Sequence, residues 1–361
     1  MRSFPFPCLL LAFLLGCGQP QSPAPPMSAS PPTPAQLRRA DGKFALVATP
    51  GTADGYPARY DEARLLTPDG GSFPVPYGHL LRGNWGGSAI YWAVGDDYQA
   101  VPDRLEIRWF SYPEDKFYEG HFRLPQARLR ALLERGLWER ESQRYFTYST
   151  LNVCVIPTGG VVVWLSAGQS NKVLIGRYQA QEIAYDYTRF RPGVDRAAAV
   201  RETQAALSAE VRHEIATGAF SSQKWDAYLR PYPWQLAFSR PLTLTRFALG
   251  FFSAEAIGDP ASADAAAQAQ LVLAPSPKAV PRSAMLYVAA PDGRQRLFKV
   301  LPFDEAQTMA AFQALHAQHP RAVVTLYVDP DEDLRQVTLS LRAGGQVLAL
   351  TKTSVQVFDL P

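Results

Sequence analysis

One order of elements, strand, hairpin, strand, helix, strand, hairpin, strand, is written into this 361-residue chain twice, at 100–180 and at 279–360. No other feature limits the possible folds as much. Val101-Pro102 returns as Val280-Pro281, Leu124-Pro125 as Leu301-Pro302, and Val155-Ile156-Pro157 as Val328-Asp329-Pro330. The VVVWL at 161–165 returns as VTLSL at 337–341, and Ala167-Gly168 as Ala343-Gly344. Five correspondences in one order, at nearly constant spacing, argue for a duplicated unit.

The first unit opens with Leu105, Ile107 and Trp109 alternating on one strand and Tyr118, Gly120, Phe122 and Leu124 on the next, joined by the polar turn SYPEDK. Pro125 breaks the second strand and opens a helix with an apolar stripe at Leu129, Leu132, Leu133 and Leu137, stopped near Gly136. Strands Leu151 to Ile156, Val161 to Ser166 and Lys172 to Gln179 give that stripe a sheet to cover. The second unit repeats the plan with a turn at 291–293, a helix from Asp304 to His316 carrying Met309 and Phe312, and a charged turn at 329–333. Asp304 suits a helix N-cap, because its carboxylate can accept from an otherwise unpaired backbone N–H.

Between the units, Asp195 to Thr217 reads as one uninterrupted amphipathic helix with Val200, Leu207, Val211 and Ile215 on one side, ended by Gly218. The phrase KWDAYLRPYPWQLAF and the strand-like LTLTRFALGFF follow. The Ala, Asp, Ser and Pro of 259–277 read as a linker. Residues 41–100, with the strand-like KFALVAT and the aromatic patch NWGGSAIYW, read as loops and edge strands. The expected class is α+β: two tandem related units, each an antiparallel sheet packed by one helix in the order ββαβββ, with an extra long helix in the first. The expected division is 1–16 signal peptide, 17–40 lipidated cysteine and tether, 41–258 first unit, 259–277 linker and 278–361 second, smaller unit.

At the amino terminus Arg2 precedes eight apolar residues, Cys8 to Leu15, too few for a hydrocarbon core that needs about 20 in a helix. The run therefore reads as a secretion signal. Leu14-Leu15-Gly16-Cys17 looks like a bacterial lipobox, in which Cys17 is lipidated and becomes the first residue. Each buried methylene contributes about 0.8 kcal/mol and one acyl chain alone is marginal, so a lipid of two or three chains anchors firmly. Residue 18 is Gly where an inner-membrane retention signal has Asp, which points to the outer membrane, periplasmic face. Seven prolines between Pro20 and Pro34 make the next segment a tether of about 70 Å at full extension. With Cys8 removed and Cys17 lipidated, Cys154 is the one remaining thiol; in the apolar run LNVCVIP it reads as a small buried hydrophobe rather than a nucleophile.

A chain that is 47% hydrophobic and 19% charged can bury a sizeable core or two. Its net charge of +3 is not concentrated in basic clusters among exposed aromatics, so nucleic acid is not an expected partner. The membrane is met through the lipid anchor only.

The phrases IRWFSYPEDKFYEGHFRLP, GGVVVWL and WDAYLRPYPW, in that order, resemble the family of Gram-negative lipoproteins called domain of unknown function 2931. The resemblance runs over about 75–360. It carries no catalytic residues. It implies neighbourhoods rich in type VI secretion components and phospholipase-type effectors, hence immunity lipoproteins that protect the producing cell. This chain departs in having Pro231 and Pro233 on either side of Tyr232.

No residue pattern here composes an active site. Glu114, Asp115 and Lys116 sit in a hairpin turn, where solvated charges are the rule. His316 and His319 are followed at once by Pro320 and lack a third ligand nearby. His213-Glu214 has Thr217 where a zincin has its second His. Asp329, Asp331, Glu332 and Asp333 lack the glycine of an EF-hand loop. Gly168-Gln169-Ser170-Asn171-Lys172 has Lys where a nucleophile elbow has Gly. No catalytic residue, metal or cofactor is expected, and the chain is not read as an enzyme. Trp225, Tyr228, Tyr232 and Trp234 are candidates for partner contact, since Trp and Tyr favour interfaces, although core packing is the stronger reading for most of them. The expected role is protein binding, with a secreted toxic effector as the partner. A structural or accessory lipoprotein of an envelope or secretion complex is the alternative, and an envelope enzyme comes last.

Overall fold

The run Gly160–Ala167, GVVVWLSA, is buried at all eight positions and divides two cores. Val161, Val163 and Leu165 belong to one cluster with Leu105, Ile107, Leu129 and Leu133. Val162 and Trp164 point the other way, into a cluster with Trp234, Phe298 and Phe312. A strand covered on both faces reads as a continuous apolar run rather than an alternating one, which is why VVVWL stands out. Each aliphatic side chain buried this way contributes about 1.5–3 kcal/mol.

The computed structural model describes residues 41–139, 144–258 and 265–360, which lie in one compact unit, Pro32–Pro361. The expected signal peptide, the expected lipidation site Cys17 and the expected tether lie outside the described residues. The chain begins with β1 (Val47–Thr52), β2 (Ala58–Leu66), β3 (Ser72–Pro74) and β4 (Leu80–Leu81). The hairpin β5 (Arg104–Ser111) and β6 (Lys116–Arg123) leads into α1 (Gln126–Arg135), then the short pair β7 (Leu137–Glu139) and β8 (Arg144–Phe146). A meander follows: β9 (Thr150–Ile156), β10 (Gly160–Ala167) and β11 (Asn171–Gln179), with β12 (Gln181–Ile183) after it. Helices α2 (Tyr187–Phe190), α3 (Arg196–Ala205), α4 (Ala209–Thr217) and α5 (Gln223–Leu229) come next. Then come β13 (Tyr232–Phe238), β14 (Thr243–Phe251), β15 (Ala256–Gly258), α6 (Ala265–Leu273) and β16 (Ser276–Lys278). The hairpin β17 (Pro281–Ala289) and β18 (Gln295–Val300), α7 (Glu305–Gln318), and strands β19 (Val324–Pro330), β20 (Val337–Ala343), β21 (Gln346–Ala349) and β22 (Gln356–Asp359) complete it.

The protein is thus mixed α and β, mostly sheet, and among the described residues no sheet closes into a barrel. The central sheet has nine strands in the order β1-β9-β10-β11-β15-β14-β17-β18-β22. A second runs β12-β6-β5-β2-β3, with β4 also on β2, and a third runs β16-β13-β19-β20-β21. All pairs are antiparallel except β1 with β9 and β13 with β19. Among the described residues no helix is long and apolar enough to cross a membrane.

Several expectations change here. The strands of each ββαβββ run do not share one sheet: β5–β6 belong to the six-stranded sheet and β9–β11 to the central one, while β17–β18 belong to the central sheet and β19–β21 to the five-stranded one. Alternation within a strand reports which of its faces is covered, but not which strands it bonds, so the change of layer across α1 and α7 leaves no mark on it. The helix expected over 195–217 is two helices, because Ser208 caps α4 by accepting from the Val211 N–H. Residues 265–273, inside the expected linker, form α6, whose Ala269 and Val272 enter the core. In 41–100, β2 is no edge strand; it lies between β5 and β3. The Asp304 cap forms as expected, its carboxylate accepting from the Gln307 N–H at 2.8 Å.

Candidate interaction face

The stretch 82–99 carries no strand or helix, an unusual length for such a connection in a packed domain. Its base is nonetheless fixed. Asp54 Oδ1 accepts from the Asn84 N–H at 2.9 Å, and Trp85 Nε1 donates to the Phe252 carbonyl at 2.8 Å while its ring meets Trp164 edge-on at 4.8 Å. Lys172 Nζ donates to the Gly86 carbonyl at 2.8 Å; burial pushes this lysine's pKa down. Gly87, at φ +113°, passes so close to the sheet that a Cβ there would lie 2.2 Å from Asn152 Oδ1. At its far end the loop is closed by Phe44 and Gln99, which exchange backbone hydrogen bonds.

Beyond that base the loop turns apolar side chains outward. Tyr91 is 58% exposed and Val94 52%, with Ile90 and Tyr98 also exposed and Trp92 edge-on to the exposed Tyr77 at 4.9 Å. Between Gly83 and Asp103 there is no Lys or Arg, and Asp96 and Asp97 lie beside the aromatic residues. Large rings held by two torsions lose little entropy on contact, so a pinned loop displaying them is suited to recognition.

Three concavities meet around this base. One of 480 Å³ has Trp85 in its wall with Asp54, Tyr56, Glu210, Glu214, Trp225, Tyr228 and Glu305. Trp85 also lines a second, of 280 Å³, which shares Gly87 and Lys172 with a third of 590 Å³ whose floor is the polar ladder of Thr49, Asn152 and Ser166. Thr49 Oγ1 donates to Asn152 Oδ1 at 3.0 Å and Asn152 Nδ2 to Ser166 Oγ at 2.8 Å, so the amide is fixed in orientation.

The four aromatic residues singled out in the sequence divide into two pairs. Trp234 is completely buried, its Nε1 donating to the Ala279 carbonyl at 3.0 Å, and Tyr232 packs on Phe312. Neither reaches the surface, so core packing accounts for both. Trp225 and Tyr228, on α5, are also buried in that core, at 4% and 8% exposed, but their outer edges line the first cleft: Trp225 meets Tyr56 edge-on at 4.9 Å and the Tyr228 hydroxyl donates to Glu305. Cys154 is buried and its thiol is pushed up by that burial. The turn charges are tied into the fold: Glu114 accepts from Ser111, Tyr118 and the Thr158 N–H, Asp115 pairs with Arg196 at 2.8 Å, and Lys116 with Glu182 at 2.7 Å. His316 packs on Tyr232, and Asp331 accepts from the Arg335 N–H. Among the described residues no three His, Cys, Asp or Glu are grouped so as to hold a metal ion.

Sequence reasoning passes over Tyr56 and Glu305, and weighs Glu214 only beside His213 as an incomplete zincin pattern. Tyr56 and Glu214 stand 158 residues apart, and Tyr228 and Glu305 stand 77 apart, so no local motif announces either pair. The aromatic phrase NWGGSAIYW reads as a loop from the sequence, and its Ile90 and Tyr91 are the outward part of it.

No curated protein and no solved structure matches the chain. A match to the family described as "protein of unknown function (DUF2931)" spans residues 31–222, more than half the chain. It takes in the phrases at 107–125 and 159–165 and stops short of the one at 225–234. The chain belongs to the DUF2931 family.

Proposed function

We propose that this chain is a lipoprotein, anchored through Cys17 to the periplasmic face of the outer membrane, that acts by binding and blocking a toxic enzyme delivered to that compartment, of the type VI phospholipase kind. The observation that carries the binding reading is the loop 82–99: fixed at its base by Asp54, Lys172 and Trp164, it offers Ile90, Tyr91, Val94 and Tyr98 to solvent. Blocking an enzyme takes a rigid surface rather than reaction chemistry. An interface of standard size covers about 800 Å² per partner, and a loop already ordered loses little entropy on forming it. The lipobox at 14–17 and the proline-rich tether support the address, and a lipid anchor would concentrate the blocker where a lipase attacks.

We also read the architecture as a tandem duplication that begins earlier than the two runs at 100 and 279. The parallel pair β1–β9 has its counterpart in β13–β19, and the order β12-β6-β5-β2 has its counterpart in β22-β18-β17-β14. On this reading the second unit starts near Tyr232, and helices α2–α5 are an insertion between the copies.

The test is to express a neighbouring candidate effector with an export signal, with and without this protein, while measuring growth and direct binding. Rescue of growth and nanomolar capture, about −12 kcal/mol, lost in Tyr91→Ala combined with Val94→Asp, are the expected results. An effector that neither binds nor is neutralised removes the immunity reading and leaves a structural envelope role in its place.

A further inference from the structure

We propose that the cleft between α4, α5 and the start of α7 receives the guanidinium of an arginine presented by a protein partner. The proposal rests on the binding reading above for the source of that arginine; the cleft's own chemistry stands apart from it.

The cleft is a cavity of 480 Å³ with aromatic walls as well as carboxylates. Tyr56 and Trp225 meet edge-to-face at 4.9 Å, and Tyr228 forms a further wall stacked on Phe252. Each tyrosine hydroxyl steadies one carboxylate: Tyr56 donates to Glu214 Oε2 at 2.7 Å and Tyr228 to Glu305 Oε1. Burial first, and then these glutamates, push both phenols up, so they stay protonated and keep donating. The tyrosines bond Glu214 through Oε2 and Glu305 through Oε1, which leaves the second oxygen of each carboxylate to a ligand, and both carboxylates belong to the cavity lining.

A second observation points to an organic cation. The chain's own Lys224 already places its ammonium at this wall, 3.7 Å from Glu305 and 6.0 Å from the Tyr228 ring centre. That side chain is exposed and can be displaced. Arginine fits better than lysine, because a planar guanidinium stacks on aromatic faces while its fork of N–H donors reaches two carboxylate oxygens at once. Cation–π contact adds to this in a partly desolvated wall.

The experiment titrates the purified full-length protein with N-acetyl-arginine methylamide and follows the indole N–H resonances by nuclear magnetic resonance. The expected result is a saturable shift of the Trp225 and Trp85 signals with a Kd of about 1–10 mM. Glu214→Gln and Glu305→Gln, which keep an acceptor for each tyrosine, should each weaken binding about tenfold. The neutral isostere N-acetyl-citrulline methylamide should shift nothing. Equal shifts with citrulline, equal binding by the Gln variants, or equal binding of N-acetyl-lysine methylamide or choline would each overturn the assignment. If effector capture fails while the arginine probe still binds, the immunity reading falls and this one stands; if capture succeeds and the probe does not bind, this one alone falls.

Discussion

Replacing Trp164 by Phe tests how firmly the loop is joined to the central sheet. Trp164 is fully buried in β10, where Nε1 donates to the Ser253 carbonyl at 2.9 Å and the ring meets Trp85 edge-on. Phenylalanine cannot donate. The Ser253 carbonyl then lies buried without its donor, at a cost of about 1–3 kcal/mol. Losing the geometry of the aromatic pair costs about 0.5–1.5 kcal/mol more. The expected loss is about 1.5–4.5 kcal/mol, read as a lower urea midpoint at unchanged slope in far-ultraviolet circular dichroism, a signal that does not depend on the missing indole. Because Trp85 loses its partner, protease cleavage within 88–98 should also quicken. A stability change below about 0.5 kcal/mol with unchanged cleavage would refute the idea that Trp164 joins the loop to the sheet.

Gly87→Ala should release the base of the same loop by strain and overpacking against Asn152, costing about 1–3 kcal/mol in urea unfolding and exposing 88–98 to proteolysis. Lys278, surrounded by the carbonyls of Trp234, Ala274 and Ser276 and by the Ser276 hydroxyl, is pushed down by burial from 10.5 to about 8. Between those values the unfolded chain binds more protons than the folded one, so stability should rise from pH 8 to 10.5, a slope that Lys278→Met reduces in parallel urea titrations. Cys154 should resist a thiol reagent until the protein is unfolded in guanidinium; fast labelling of the native protein would contradict its burial. Cys17→Ser should abolish labelling by a palmitate analogue, and label persisting on the variant would remove the lipoprotein reading.

What was legible in the sequence was local. Leu105, Ile107 and Trp109 announce β5 by alternation, Pro125 and Gly136 bracket α1, and Asp304 caps α7, because each of these depends on neighbours within a turn or a strand. The break at Ser208 was missed because Val200, Leu207 and Val211 keep a helical spacing across it; the signal was the capping residue itself. Helix α6 was missed because its alanines sit beside Asp, Ser and Pro, whose composition reads as a boundary. Layer assignment was not legible at all: VVVWL says that a strand is covered on both faces, but not that the two faces serve different cores. The cleft lies at the same limit, since Tyr56, Glu214, Tyr228 and Glu305 meet only through tertiary folding.

On the proposed reading this face binds and blocks a toxic enzyme. The most direct measurement of this is the activity of a neighbouring phospholipase-type effector on phospholipid vesicles, titrated with the purified protein. Activity should fall linearly to zero at one equivalent, and a Tyr91→Ala, Val94→Asp variant should leave the enzyme active. Undiminished lipid hydrolysis in the presence of a large excess of the intact protein would contradict it.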